Sequence, residues 1–216
     1  MYAKTVLITT GPTREFIDPV RFISNLSSGK LGYHIAKQFI KNKYKTILVS
    51  GPTCIKYPKS WNVYYVQTTQ EMFDVVKKFL SKVDIFISVA AVADFKPEKI
   101  FVHKVKKKER IVLSLIPTID ILEYVGKNKN PSQLVVGFAL ETDKKNAVKY
   151  AKEKLCKKNL DLIVLNSEET FGSDFIKPTI IYSNGKIQKL KKMTKEKFAK
   201  ILFCLTKKLI KEKSYE

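Results

Sequence analysis

Histidine, cysteine and arginine are scarce in this chain. It has two histidines and three cysteines, and its arginines are Arg14, Arg21 and Arg110. The histidines lie far apart, the cysteines are widely spaced, and neither a CxxC nor an HExxH pattern is present, which argues against a zinc site or a disulfide framework. No Ser-His-Asp or Cys-His arrangement is visible either, so the sequence does not indicate catalysis by a strong side-chain base.

Long apolar runs and a charged leader with a cleavage site are also lacking. No run reaches the length of about 20 residues that spans a bilayer, and the first residues, MYAKTVLITT, enter a strand pattern at once. These absences predict a cytoplasmic protein with no membrane partner. Hydrophobic residues make up 44% of the 216 residues and aromatic residues 11%, which predicts a globular core rather than disorder.

Negative charge is in short supply. Lysine and arginine together number 41, whereas aspartate and glutamate number 20, so the formal net charge is +21. Such an excess is one signature of a nucleic-acid-binding protein, which would bind DNA or RNA tightly and in a salt-sensitive way. Most of the cations are scattered lysines, however, with a dense run from Lys186 to Lys213, whereas nucleic-acid readers usually also use arginine. We therefore favour a lysine-loaded surface with a site for small polyanions, and expect no nucleic-acid partner.

Apolar runs of strand length alternate with helical patterns. We predict strands at residues 5–10, 45–52, 62–67, 84–95, 111–117, 133–139 and 161–167, and helices at residues 29–44, 68–83, 118–128, 143–159 and 194–210. Thr68 or Thr69 is the expected cap of the second helix, and Thr118 of the third. An Asn184-Gly185 turn predicts a hairpin over residues 179–190. This alternation predicts an α/β fold with a mostly parallel sheet, helices on both faces and a late antiparallel hairpin, in one domain over residues 1–216.

The stretch RFISNLSSGKLG, residues 21–32, runs from small residues into a helical pattern like a phosphate loop. It fails the Walker spacing GxxxxGK[ST], and GPTRE rather than GxGxxG follows the first strand. Ser27, Ser28 and Gly29 nevertheless stand at the helix entry, where free backbone N–H groups and the helix dipole favour an anion. The alternative is that Ser27 or Ser28 simply caps the helix.

Ligands of such sheets bind beyond the carboxyl ends of the strands. In AAVADF, Ala90 and Ala91 would let a ligand lie against the backbone, and Asp94 offers a carboxylate. The alternative is a close helix–strand contact with a solvated aspartate. Lys154 and Lys158 lie four residues apart on one predicted helix and share a face, which either a phosphate site or a solvated face explains.

A dense group of cations follows, in HKVKKKE: Lys104, Lys106, Lys107 and Lys108. Mutual repulsion favours an exposed, mobile loop. Such a cationic flap can close over a triphosphate and stabilise developing charge, and the alternative is a solvated run. Cations and small residues together predict catalysis by positioning and charge stabilisation, as in nucleotidyl transfer.

The motifs TTGPTREFIDPVRFISNLSSGKLG, VAAVADF, HKVKKKE, VVGFALET and KKNLDLIVLN resemble, in order and spacing, those of the bacterial phosphopantothenate–cysteine ligases, from about residue 5 to 210. The resemblance implies a Rossmann-like three-layer sandwich, a homodimer, and ligation of 4′-phosphopantothenate to L-cysteine in coenzyme A biosynthesis. It also implies CTP as co-substrate with Mg²⁺, and an acyl-cytidylate intermediate. Many relatives carry an upstream flavin decarboxylase domain, whereas this sequence begins at strand one, so FMN is not expected.

The same resemblance implies roles for individual residues. Asn25 matches the asparagine that holds the acyl-nucleotide intermediate, Ala91 a substrate-binding position, and Lys104 the flap lysine needed to form the acyl-cytidylate. The implied nucleotide-binding positions are Gly11, Ser27, Ser28, Gly29, Ala90, Asp94, Lys104, Ile119, Asp120, Ile121, Leu122, Phe138, Lys154 and Lys158.

This chain departs from the family pattern at three places: His103 beside the flap lysine, Phe95 after Asp94, and IPTIDIL in place of the usual NPDIL. A Rossmann-like NAD(P)-dependent reductase is the alternative from another enzyme class. The missing GxGxxG and the absence of a Tyr-x-x-x-Lys pair count against that alternative.

Overall fold

A computed structural model of the chain describes residues 3–107, 110–170 and 172–213. Lys108 of the predicted flap lies outside the described residues. The strands are β1 (Thr5–Thr10), β2 (Arg14–Phe16), β3 (Phe22–Ser24), β4 (Lys45–Ser50), β5 (Asn62–Tyr65), β6 (Ile85–Ser88), β7 (Phe95–Pro97), β8 (Leu115–Pro117), β9 (Leu134–Leu140), β10 (Leu162–Asn166), β11 (Phe175–Ile176), β12 (Thr179–Tyr182), β13 (Ile187–Lys189) and β14 (Met193–Thr194). The α-helices are α1 (Lys30–Lys41), α2 (Thr69–Phe79), α3 (Ile121–Asn128), α4 (Ala147–Lys157) and α5 (Lys195–Glu212).

The central sheet has eight strands in the order β13-β12-β10-β9-β6-β1-β4-β5. The six strands from β5 to β10 run parallel, whereas β12 and β13 are antiparallel. The predicted α/β fold and its late hairpin are therefore confirmed. The chain builds the sheet outward from β1 through β4 to β5, and then returns to the other side of β1 with β6. The strand order thus reverses between β1 and β6, which is where such sheets bind their ligands.

Apolar side chains fill both faces of this sheet. On β1, Val6 and Ile8 pack into the layer formed with α1 and α5, whereas Leu7 faces the layer formed with α2, α3 and α4. Such strands, buried on both faces, read as continuous apolar runs, as observed. Phe39 of α1 and Phe198 of α5 are fully buried, because the apolar residues of each helix recur on one side. No helix of the described residues is both long and apolar enough to cross a bilayer.

The predicted strand over residues 84–95 was too long. Strand β6 ends at Ser88, and the following backbone turns to the loop after β1. There the Ala91 N–H donates to the Gly11 carbonyl at 2.9 Å, and the Ala93 N–H donates to the Thr13 hydroxyl at 2.9 Å. The loops that follow the two strands at the switch point are therefore fastened together.

Helix capping agrees with one prediction and corrects another. The Thr68 hydroxyl accepts from the Glu71 N–H at 3.2 Å and caps α2, as expected. The prediction of Thr118 as the cap of α3 was wrong, because its hydroxyl donates to the Ala93 carbonyl at 2.6 Å. Asp120 caps α3 instead, accepting from the Glu123 N–H at 2.9 Å. Thr118 therefore fastens the loop that follows β6, rather than the helix.

Two antiparallel ribbons outside the central sheet were not predicted. Strands β2 and β3 form the first ribbon, and β7 and β8 form the second. The predicted strand at residues 111–117 is reduced to β8, which has three residues. Asn25 comes directly after β3, so the first ribbon sets the position of that residue.

Candidate functional site

One cavity of about 620 Å³ lies at the switch point of the sheet. Residues that follow β6 and β10 line it together with the start of α1. Small-molecule sites typically occupy about 300–1,000 Å³, so this cavity has room for a nucleotide-sized ligand.

The cavity gathers every site residue predicted from the sequence except Gly11 and Lys104. The predicted residues that line it are Asn25, Ser27, Ser28, Gly29, Ala90, Ala91, Asp94, Ile119, Asp120, Ile121, Leu122, Phe138, Lys154 and Lys158. They come from five separate stretches of sequence. The fold therefore brings into one place residues that are up to 133 positions apart, from Asn25 to Lys158.

The entry of α1 is a glycine turn rather than a serine cap. Gly29 is the residue before the helix, has φ 72°, and provides no side-chain cap. The Thr10 hydroxyl donates to the Gly29 carbonyl at 3.2 Å and ties the turn to the end of β1. The alternative that Ser27 or Ser28 caps α1 was therefore wrong. Backbone N–H groups of an uncapped first turn are suited to an anion.

Gly11 lies behind this turn and supports it. Its φ is 75°, and a Cβ added to Gly29 would lie 3.6 Å from the Gly11 Cα. The same Cβ would lie 2.7 Å from Cγ2 of Thr53. The turn thus combines a left-handed backbone with close packing, and both favour glycine.

We expect Gly29→Ala to destabilise the protein by about 2 kcal/mol, because it adds crowding against Thr53 to the left-handed strain. Gly185→Ala is the matched control, since Gly185 has φ 85° but nothing lies within 4 Å of an added Cβ. The control should lose only about 1 kcal/mol. Urea unfolding midpoints measure both, and equal losses would show that Thr53 does not constrain the turn.

The side chain of Asn25 has a defined orientation. Its amide nitrogen donates to the carbonyl oxygens of Ala91 and Val92, at 3.1 and 3.0 Å. Two acceptors fix which end of the amide is nitrogen. Both N–H groups are thereby occupied, so Asn25 has its oxygen left to offer a ligand.

Residues at the start of α3 and the end of α4 contribute an ion pair to the cavity lining. Lys158 donates to Oδ2 of Asp120, while Lys154 donates to the Phe138 carbonyl at 3.3 Å. Burial alone would raise the pKa of Asp120, but the hydrogen bonds from Lys158 and the Glu123 N–H outweigh it and lower that pKa. Burial, and then repulsion from Lys158, lower the pKa of Lys154. These three residues therefore offer a carboxylate and two cations within one patch.

A buried carboxylate that sequence reasoning missed fastens Val105, which lies within the predicted flap. Asp18 is fully buried and accepts from the guanidinium of Arg21 and from the backbone N–H of Val105, the latter at 3.1 Å. Arg21 in turn donates to the Val105 carbonyl at 2.6 Å. Burial opposes ionisation, but hydrogen bonds from Val20, Arg21 and Val105 hold the pKa of Asp18 well below its usual range. The Asx-turn pattern in IDPVR was the available signal.

Lys104, beside that anchor, is exposed and does not line the cavity among the described residues. Its neighbour Val105 is held at both its N–H and its carbonyl, so Lys104 extends from a fixed point.

The cavity residues that were not predicted include one amide and two lysines. Asn166 ends β10, and Lys30 and Lys195 begin α1 and α5. The strand-end rule would have selected Asn166. Lys195 lies within the run of lysines near the C-terminus, where no local signal separates it from its exposed neighbours.

Comparison with known proteins places this chain among related sequences and structures. The family model described as DNA/pantothenate metabolism flavoprotein C-terminal domain matches residues 1–209. The Coenzyme A biosynthesis bifunctional protein CoaBC of Borreliella burgdorferi is 41% identical over 199 residues, which cover 91% of this chain and 50% of that relative. The protein of the same name from Bacillus subtilis is 42% identical over 198 residues, which cover 89% of this chain and 48% of the relative.

A crystal structure of the C-terminal domain of CoaBC superposes with a TM-score of 0.84 at 37% identity and covers 98% of both chains. This likeness agrees with the α/β fold described above. The chain spans about half the length of the curated relatives it matches.

Proposed function

Since this chain belongs to the family of DNA/pantothenate metabolism flavoprotein C-terminal domains, we propose that it is a phosphopantothenate–cysteine ligase of coenzyme A biosynthesis. It joins 4′-phosphopantothenate to L-cysteine and uses CTP, through an acyl-cytidylate. The bifunctional relatives, whose names state coenzyme A biosynthesis, support this proposal.

One observation carries the proposal: the switch-point cavity places the Asn25 oxygen, the glycine turn of α1 and the Asp120–Lys158 pair around a common space. These are an acceptor, an anion site and a mixed-charge patch. A nucleotide joined to an acyl group needs these three partners. The acceptor serves the end that forms the amide, the anion site binds the phosphates, and the mixed-charge patch faces the base. The two alanines after β6 let the ligand lie against the backbone.

The proposed reaction has two steps. A carboxylate oxygen of phosphopantothenate bonds to the α-phosphorus of CTP, and the bond to pyrophosphate breaks. The cysteine amine then bonds to the acyl carbon, CMP leaves, and the amine proton passes to solvent. The chain contributes by positioning the reactants and stabilising their charge, in keeping with the shortage of strong side-chain bases.

In this arrangement the turn at Ser27–Gly29 binds phosphate through backbone N–H groups. Asp120 and the adjacent residues of the β8–α3 loop face the base and ribose. The carboxylate of Asp120 can accept from an exocyclic amino group, whereas Lys158 holds that carboxylate in its ionised form. Preference for CTP over ATP is part of the proposal and is tested below.

The residues present can hold magnesium through one carboxylate together with the substrate phosphates. Among the described residues no group of three or more His, Cys, Asp or Glu side chains could hold a metal ion. Asp94 and Asp120 are the acidic residues of the described lining, and Asp120 is already paired with Lys158. Mg²⁺ commonly binds through one or two carboxylates and substrate phosphates, so Asp94 would hold it together with the triphosphate. When bound, the ion neutralises phosphate charge.

Homodimer formation is a further part of the proposal. Exposed apolar side chains surround the two ribbons: Val20 is 58% exposed, Phe95 52% and Ile100 64%. Exposed apolar surface of this kind often marks a protein interface. Sedimentation of a monomer at micromolar concentration would contradict a dimer. The absence of FMN and a cytoplasmic location stay predictions.

A single assay tests the function. The protein is incubated with phosphopantothenate, cysteine and Mg²⁺, with either CTP or ATP, and pyrophosphate and the amide product are measured. We expect both products with CTP. No product with either nucleotide would refute the ligase, whereas faster turnover with ATP would keep the ligase and overturn the choice of nucleotide.

A further inference from the structure

Lys195 is a buried lysine inside the cavity. It begins α5, is only 5% exposed, and lines the cavity. Its ammonium donates to the Thr170 carbonyl at 3.0 Å. An ammonium has three N–H donors, and among the described residues no second acceptor contacts this one. Buried lysines are normally more fully paired than this.

The surroundings of Lys195 contain a second cation, Lys30, and one carboxylate, Asp174. Burial lowers the pKa of Lys195, and repulsion from Lys30 lowers it further, whereas attraction to the Asp174 carboxylate has the smaller, opposite effect. Lys30 pairs with Asp174 at 2.6 Å, and the Lys195 N–H donates to the Asp174 carbonyl at 2.9 Å. The segment at Asp174 therefore joins the first turns of α1 and α5. The uncapped N–H groups of α1, Lys30 and Lys195 form one cationic end of the cavity.

An independent observation indicates that the cavity receives a ligand. Oδ1 of Asn166 is buried with no hydrogen-bond partner among the described residues. Asn166 is 9% exposed and lines the cavity at the end of β10. An orphaned acceptor and an under-paired cation lining the same cavity fit a ligand that carries both donors and negative charge, as a nucleotide does.

We propose that Lys195 binds the terminal phosphates of the nucleoside triphosphate and stabilises pyrophosphate as it leaves. As the bond between the α-phosphorus and the bridging oxygen breaks, pyrophosphate keeps the electron pair, and the Lys195 ammonium donates hydrogen bonds without giving up a proton. This role rests on the proposed function. The anion site itself can be tested without turnover.

Binding of inorganic pyrophosphate, CTP and CMP to the full chain is measured by calorimetry near neutral pH. Lys195→Met keeps length and removes charge. It should weaken pyrophosphate and CTP about tenfold or more and change CMP by less than about twofold, since CMP lacks the terminal phosphates. Lys197→Met removes the same charge from an exposed residue two positions on, and should leave all three affinities unchanged. Lys195→Arg should keep pyrophosphate binding within a few-fold.

Several outcomes overturn the proposal. Unchanged pyrophosphate affinity in Lys195→Met would overturn it. Equal loss of affinity for CTP and CMP would also overturn it, because it would mean that Lys195 only supports the turn at Thr170. If circular dichroism shows that Lys195→Met does not fold, a competition experiment on the wild-type chain decides. Pyrophosphate must then displace bound CTP more readily than it displaces bound CMP. If the expected affinities are found but no amide product forms in the ligation assay, the anion site at Lys195 is supported and the proposed ligase function is refuted.

Discussion

Asn25→Ala is expected to leave acyl-cytidylate formation working and to slow its reaction with cysteine by about 10²–10³-fold, the typical effect of removing one preorganised polar group. Both N–H groups of Asn25 hold the carbonyls of Ala91 and Val92, so the oxygen remains to orient the intermediate or the incoming amine. Phosphate binding by the α1 turn does not need this oxygen. The intermediate should therefore accumulate on the enzyme.

Acid-quenched single turnovers with labelled CTP measure this effect. The variant should give a burst of pyrophosphate of about one equivalent, with little amide product. Ser24→Ala is the matched control, because the Ser24 hydroxyl donates to the Thr13 carbonyl at 2.7 Å within the same ribbon. In that variant the Asn25 amide keeps its own hydrogen bonds to Ala91 and Val92, so it should turn over at close to the wild-type rate. Loss of the pyrophosphate burst in Asn25→Ala would contradict the assigned role.

The sequence predicted the central sheet well, because parallel strands buried on both faces produce continuous apolar runs that need no tertiary information. The two ribbons were missed for the opposite reason. Strands β2 and β3 have three residues each, too few for a periodicity to appear. The end of β6 was misplaced because Ala90 and Ala91 continue the apolar run, whereas the backbone of Ala91 hydrogen-bonds to Gly11 and Thr13 in the loop after β1.

Within the site, local physics and resemblance contributed different residues. The strand-end rule selected Ala90, Ala91 and Asp94, and helix-entry physics selected the turn at residues 27–29. Asn25 follows a ribbon strand, where no general rule looks for a ligand, and only the family resemblance selected it. Lys195 escaped both routes, since its burial depends on packing between α5 and residues near 170, and a lysine-rich sequence gives no sign of such packing.

Lys104→Ala is expected to abolish the pyrophosphate burst, with a rate at least about 10²-fold lower, because its cation would offset charge on the triphosphate in the first step. The variant should therefore fail one step earlier than Asn25→Ala, with no acyl-cytidylate. The measurement is the same quenched single turnover. Lys106→Ala and Lys107→Ala are matched controls, since both are exposed residues of the same run, and they should change the burst by less than about threefold.

A change in the Asp18–Arg21 anchor distinguishes a specific role of Lys104 from a general effect of the charge of the lysine run. Lys104 lies one residue before Val105, which Asp18 and Arg21 hold through its N–H and its carbonyl, whereas Lys106 and Lys107 follow it. If Lys104 acts from a fixed pivot, Asp18→Asn should slow the burst in the wild-type chain, because a neutral amide holds Arg21 less firmly. The same change should add little once Lys104 is alanine. Equal effects of the three lysine substitutions would instead mean that the flap acts through its summed charge, and a normal burst in Lys104→Ala would reduce the run to a solvated surface.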